Sequence, residues 1–272
     1  MHARFAARAS TDNPTMNSRP ALVFRITMLA CALFVGSAHA QDRPALKPLD
    51  DAELSGVWGQ ALLDLTNTTL NGYDFSRLTL NADITLSMSL SGLKLGTQAN
   101  GTSDIDISTL NFGRSDLGDA SRTVAITDPY FEWVYSGTPG SANSQVVGMR
   151  LGFGGITGDI GLAMNTVSGA LTINTPSGTA TSVGSQSTSL TSCSGSCSIA
   201  LNQIGGVTAG DANGASRDFF LSILKTALTY PTTTGLAAPA TSQAGFWLNW
   251  TDRLNALNTT GLVPPNVPKI GP

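Results

Sequence analysis

The segment Tyr130-Phe131-Glu132-Trp133-Val134-Tyr135 holds the residue types closest to chemistry. Aromatic rings beside a carboxylate can stack on a sugar while the acid works on it, and paired carboxylates hydrolyse glycosides without histidine. Glu132 is therefore the candidate general acid, and Tyr130, Glu132, Trp133 and Tyr135 are the candidate ligand surface. The competing reading is that aromatic residues in strands are cross-strand packing pairs. Glu53, the other glutamate, lies three residues after Asp50, which is capping-box spacing at a helix start.

Other patterns fall short of a motif. Ser222-Ile223-Leu224-Lys225 has the Ser-x-x-Lys spacing of penicillin-recognising enzymes, but the Ser-Asp-Asn and Lys-Thr-Gly elements that complete that site are missing. With Ile223 and Leu224 read as inward, Ser222 and Lys225 become surface positions. Asp211-Ala212-Asn213-Gly214 has the start of a calcium loop without its terminal glutamate, so it reads as a turn. Asp104 and Asp106 share one face of a strand and read as solvated, and Gly152-Phe153-Gly154-Gly155 lacks the strand-to-helix context of a nucleotide loop. No catalytic residue, metal site or cofactor is expected.

A secretory leader explains much of this poverty. Residues 16–40 carry Arg19 and Arg25, an apolar stretch over 26–35, and Ala38-His39-Ala40, a small-residue cleavage site that puts the cut between Ala40 and Gln41. Translation can begin at Met1 or Met16. Both histidines, His2 and His39, precede the cut, which removes the commonest catalytic base and metal ligand from the mature chain. Export also suits the remaining pair, Cys193 and Cys197, which reads as a disulfide across a short turn in an oxidising compartment.

Charged residues are 12% of the 272, and glycine alone supplies 29. The mature chain is acidic with few scattered cations, a poor partner for nucleic acid or anionic lipid, and no nucleic-acid partner is expected. No apolar run after the leader approaches the roughly 20 residues of a membrane helix. Membrane association is left to surface display or to a β-barrel.

The elements that must position these residues are mostly strands. From 78 to 90 the apolar residues fall on every second position, predicting one strand of 13 residues, about 43 Å long. Ser91-Gly92 then shifts the apolar frame like a bulge or bend. Further strands are predicted at 104–112, 122–127, 130–135, 145–153, 156–164 and 167–174, separated by Asn100-Gly101, Asp128-Pro129, Thr138-Pro139-Gly140, Gly154-Gly155 and Pro176-Ser177-Gly178. The Ser/Thr-rich stretch 179–192 reads as an edge strand or loop. Phe219/Phe220, Ile223/Leu224 and Ala227/Leu228 step by four, predicting a helix over 217–229, and Trp247, Trp250, Leu254 and Leu257 predict a second over 246–258.

The fold expected is mainly β: long antiparallel strands in an elongated sandwich or curved sheet, with one or two C-terminal helices and a transmembrane β-barrel as the alternative. Its parts are the leader at 1–40, a lead-in with a short helix at 41–54, a β domain at 55–205, and a helical segment with a Pro-rich tail at 206–272.

Asp51-Ala52-Glu53-Leu54-Ser55-Gly56-Val57-Trp58-Gly59-Gln60-Ala61, Asp128-Pro129-Tyr130-Phe131 and Val146-Val147-Gly148-Met149-Arg150-Leu151-Gly152 resemble exported Gram-negative proteins that carry a Gly-Gln-Ala motif after the signal peptide. Some of that group are linked to a putative pilus or surface-fibre system. Trp58 departs from the small polar residue usual there, and the group offers no catalytic residues to carry over. The resemblance implies export by the Sec route, a β-rich body and a surface role. The expected function is thus a non-enzymatic surface or secreted protein, structural or adhesive, with pilus or surface proteins or glycans as partners. The alternatives are an extracellular carbohydrate-binding protein, a carboxylate-based hydrolase, or an outer-membrane barrel, with the periplasm as the other location.

Overall fold

Alternating side chains and turn-rich separators build a single large sheet around one dominant strand. The computed structural model describes residues 62–192 and 197–269. The leader with its cut between Ala40 and Gln41, the 41–54 lead-in, and Cys193 lie outside the described residues.

The strands are β1 Leu63–Leu70, β2 Tyr73–Leu80, β3 Asp83–Leu86, β4 Met88–Thr97, β5 Ser103–Phe112, β6 Val124–Ser136, β7 Gln145–Thr175 and β8 Gly178–Ser187. They continue with β9 Ser189–Ser192, β10 Cys197–Ala200, β11 Gly206–Ala209, β12 Phe220–Leu224, β13 Gly245–Trp250 and β14 Leu254–Ala256. The main path runs β1-β2-β6-β7-β8-β9-β10, while β5 and β11 to β14 also pair with β7. Most pairings are antiparallel, but β13 and β14 meet β7 in parallel. The path ends on β1 and β10 without closing, so the strands do not form the barrel held as an alternative.

β7 has 31 residues and merges the three strands predicted at 145–174. Gly154-Gly155 lies inside it instead of ending it. Glycines serve there because neighbouring chains press on both edges: a Cβ on Gly152 would collide with the Tyr130 phenol and the Phe219 carbonyl. Asp128-Pro129 likewise lies within β6, where Asp128 takes φ 47° and the proline supplies no donor.

That kink also explains why the predicted 78–90 strand is divided. β2 and β3 both pair with β6, on either side of it. Between them the Ala82 carbonyl accepts the Asp128 N–H at 3.1 Å. The period of two survives the break, and so the sequence did not reveal it. After Ser87 the chain moves to β5 as β4, whose register stays constant through Gly92.

The C-terminal segment contradicts the helix predictions: 217–229 contains β12, and 246–258 contains β13 and β14. A step of four residues is also a multiple of two, so paired apolar residues suit a strand covered on both faces. Phe219 and Leu221 pack toward the larger core with Ile107, Leu162 and Trp250. Phe220 and Leu224 pack into a second core with Phe75, Tyr230 and Trp247. β12 thus separates two apolar clusters. The helical content among the described residues is limited to short 3-10 turns such as Asp119–Arg122 and Leu201–Gln203.

The stretch 179–192 forms β8 and β9. The Pro-rich tail docks on the body: Pro264 O accepts from Asn111 Nδ2 at 2.9 Å, Pro265 O accepts the Ser115 N–H at 2.8 Å, and Asn266 Nδ2 donates to Phe112 O at 2.6 Å.

Candidate ligand cleft

Register alone lines up the site. Arg77 on β2 is opposite Glu132 on β6, Glu132 is opposite Arg150 on β7, and Arg150 is opposite Ser222 on β12. Opposed residues share a face, so this row points to one side of the sheet. Glu132 Oε1 accepts from Arg150 Nε and its Oε2 accepts from Arg77 Nε, each at 2.7 Å.

Both carboxylate oxygens of Glu132 are therefore committed to guanidinium groups. The geometry makes it a buried counter-ion for two arginines, with no oxygen left to protonate a glycosidic bond. Arg150 is boxed by rings, its guanidinium carbon 4.0 Å from the Tyr230 centroid and 4.8 Å from that of Phe220. Arg77 lies over Tyr130 at 4.1 Å. Such cation–π contacts hold a desolvated cation in place without a further anion.

Burial pushes the Tyr130 and Tyr230 phenols above the usual tyrosine range, with Arg150 pulling the other way in each case. For Arg150, burial disfavours the charge most, but Tyr130 and Glu132 outweigh it and the guanidinium stays above its usual value.

The predicted ligand surface is split by strand alternation. Tyr130 and Glu132 face the arginine row. Trp133 and Tyr135 alternate to the other face, where Trp133 meets Phe131 edge-on at 4.4 Å. The four residues do not make one sugar platform.

On the arginine side a cleft opens between Arg77, Tyr130, Arg150, Arg217, Asp218 and Asn249, walled opposite by Pro231, Leu236 and Pro239. Asp218 contributes little free charge to it. Its carboxylate accepts from the Thr251 N–H at 2.8 Å, the Asp252 N–H at 3.0 Å, Asn249 Nδ2 at 3.1 Å and the Thr251 hydroxyl. Arg217 pairs with Asp252 at 3.8 Å. Three buried side-chain atoms of lining residues have no hydrogen-bond partner: Arg150 Nη2, Arg217 Nε and Asn249 Oδ1.

Sequence reasoning missed Arg77, Arg150, Arg217 and Asn249. The one visible signal was Arg150 itself, a lone charge in the otherwise neutral run Val146–Gly152. Nothing local linked it to Arg77, which is 73 positions earlier in the chain.

The remaining candidates are occupied elsewhere. Ser222 is buried, not at the surface as expected, and donates weakly to Trp247 O at 3.4 Å, while Lys225 points outward to Val146 O at 2.9 Å. Asp211 closes its own turn by accepting the Asn213 N–H at 2.7 Å. Asp106 pairs with Lys94 at 3.3 Å, and Asp104 accepts the Phe246 N–H at 3.0 Å. Among the described residues no cluster of three metal-ligating side chains occurs. Cys197 is exposed at the start of β10.

Comparison with protein-family models, curated proteins and solved structures finds no match.

Proposed function

We propose that this chain is an exported cell-surface or secreted protein with a structural or adhesive role and no catalytic activity, and that it associates with further copies of itself through β1. The observation that carries this reading is the state of that strand. β1 ends the sheet path and pairs with β2 alone, leaving its other edge open among the described residues.

Open edges invite strand addition unless they are blunted by lysine, proline, a bulge or a covering segment. β1 reads Leu-Asp-Leu-Thr-Asn-Thr-Thr-Leu, with one acid and none of the blunting residues. Leu63 and Leu65 on it are 57% and 63% exposed. The face they occupy continues by register through Leu78 and Phe131 to Leu151, itself 52% exposed. Met149 and Ile223 extend it. A long edge next to an apolar face suits a second copy of the same neutral, strand-built surface.

The leader and the resemblance to exported surface-fibre proteins support the location. Protease applied to intact cells of the source organism tests it. Cleavage on whole cells is expected, and recovery only in osmotic-shock fluid would move the protein to the periplasm. The hydrolase alternative has no supporting observation, because Glu132 is engaged by two arginines.

A further inference from the structure

We infer that the open apolar groove between the ends of β7, β12 and β13 binds a free fatty acid, with the chain along Ile223 and Phe246 and the carboxylate on Lys225. β1 does not line this groove, so the inference stands apart from the assembly reading.

The groove holds about 530 Å³, within the roughly 300–1,000 Å³ of small-molecule sites. Val146, Met149 and Ile223 line it while 38%, 37% and 41% exposed, and half-buried Phe246 extends the apolar wall. Ile223 is opposite Phe246, and two residues along the same strands Leu221 is opposite Leu248, so both pairs share a face. Leu221 and Leu248 line an apolar cavity of about 90 Å³ in the larger core, and apolar cavities stay dry and accept hydrocarbon. Apolar surface thus runs from the open groove into the core along one face of β12 and β13.

Lys225 supplies the polar end. Among the described residues every other lysine and arginine pairs with a carboxylate. Lys225 has a neutral partner instead: from an exposed position its Nζ donates to Val146 O at 2.9 Å, which leaves the ammonium donors for an anion. Asp104, the other charged group of the lining, is held against the fold. It accepts the Phe246 N–H at 3.0 Å, and a Cβ on Gly96 or Gly245 would collide with its carboxylate.

An ammonium without a counter-ion beside an apolar wall asks for an amphiphile with one negative charge. A peptide strand answers less of the site. β12 is paired on both edges and Asp104 takes the Phe246 N–H, so an added strand finds no ladder there.

Titration calorimetry of residues 41–272 with hexanoate, decanoate, decyltrimethylammonium and decyl maltoside, all below their micelle concentrations, tests the assignment. Decanoate is expected to bind with Kd of about 0.1 mM or tighter. Each buried methylene is worth about fourfold in affinity, so hexanoate should bind at least about tenfold more weakly, and decyltrimethylammonium likewise for want of the anionic head. Lys225→Glu, at an exposed position, is expected to weaken decanoate at least about fivefold and to leave decyl maltoside within about twofold. Ile223→Gln is expected to weaken both at least about threefold while the melting transition stays within a few degrees of the parent. Leu65→Lys, away from the groove, should bind decanoate as the parent does. Absence of decanoate binding, equal binding of hexanoate or decyltrimethylammonium, or decanoate affinity unchanged in both groove variants overturns the proposal. So does cosedimentation with phosphatidylglycerol vesicles without binding of free decanoate, which would assign the groove to a membrane surface. Loss of decanoate binding in Leu65→Lys would overturn it by making the groove a product of assembly.

Discussion

Glu132 and Arg150 stand opposite each other on neighbouring strands, joined at 2.7 Å through Oε1 and Nε, and each side chain is 3% exposed. A third partner, Arg77, takes the other oxygen at the same distance from a more exposed position. An acid that resembled a catalytic group in the sequence is the hub holding β2, β6 and β7 in register.

Glu132→Gln keeps the shape and removes the charge shared by two arginines. Removing one partner of a buried pair typically costs about 3–5 kcal/mol, because the remaining ion stays uncompensated. Urea unfolding of Glu132→Gln is expected to show a loss of that order, against about 1 kcal/mol or less for Arg77→Gln at the exposed end. Equal stability of Glu132→Gln and the parent would contradict the hub role.

The two buried phenols set an alkaline limit. Their folded pKa values lie above the ordinary 10.0, so above about pH 10 the unfolded chain loses protons that the native chain retains. The stabilisation is complete below the unfolded value and falls as pH rises toward the folded one. Chemical denaturation across pH 9–12 is expected to show this decline, and Tyr230→Phe should make it shallower. An identical slope in the variant would remove Tyr230 from the account.

Asn266 anchors the tail through its 2.6 Å bond to Phe112 O while 9% exposed. Asn266→Leu deletes the donor and leaves a strand-end carbonyl unpaired, for an expected cost of about 1–3 kcal/mol. Limited proteolysis gives the sharper reading, since cleavage after 260 should accelerate in the variant before the body is cut. Equal cleavage rates would mean that Pro264 and Pro265 hold the tail without it.

Cys197 opens β10 opposite Ser192 of β9. A Cys193–Cys197 disulfide, proposed from the sequence, should leave the protein without reactive thiol and stabilise it by about 2 kcal/mol on the chain-entropy model. Thiol titration of unfolded, non-reduced protein checks it. Two reactive thiols would rule the bridge out.

How far the fold could be read depended on whether a signal was local. β5 was legible because Ile105, Ile107 and the residues between them alternate within a single segment, and Pro176-Ser177-Gly178 marked a true hairpin. β7 was not, because Gly154-Gly155 has the composition of a turn while serving close approach inside a strand. β12 was misread because Phe219/Phe220 and Ile223/Leu224 satisfy periods of four and of two alike, and only cores on both sides of the strand decide between them. The site was the least legible part. Arg77, Glu132 and Arg150 meet through register between distant segments, which no local spacing encodes.

Sedimentation velocity of residues 41–272, compared with Leu65→Lys over a range of concentrations, tests the proposed role most directly. Leu65 is exposed on β1, so a lysine there should leave the fold intact while blunting the edge. The account predicts concentration-dependent species larger than a monomer for the parent and a monomer for Leu65→Lys. A parent that stays monomeric throughout, or assemblies unaffected by the lysine, would contradict it.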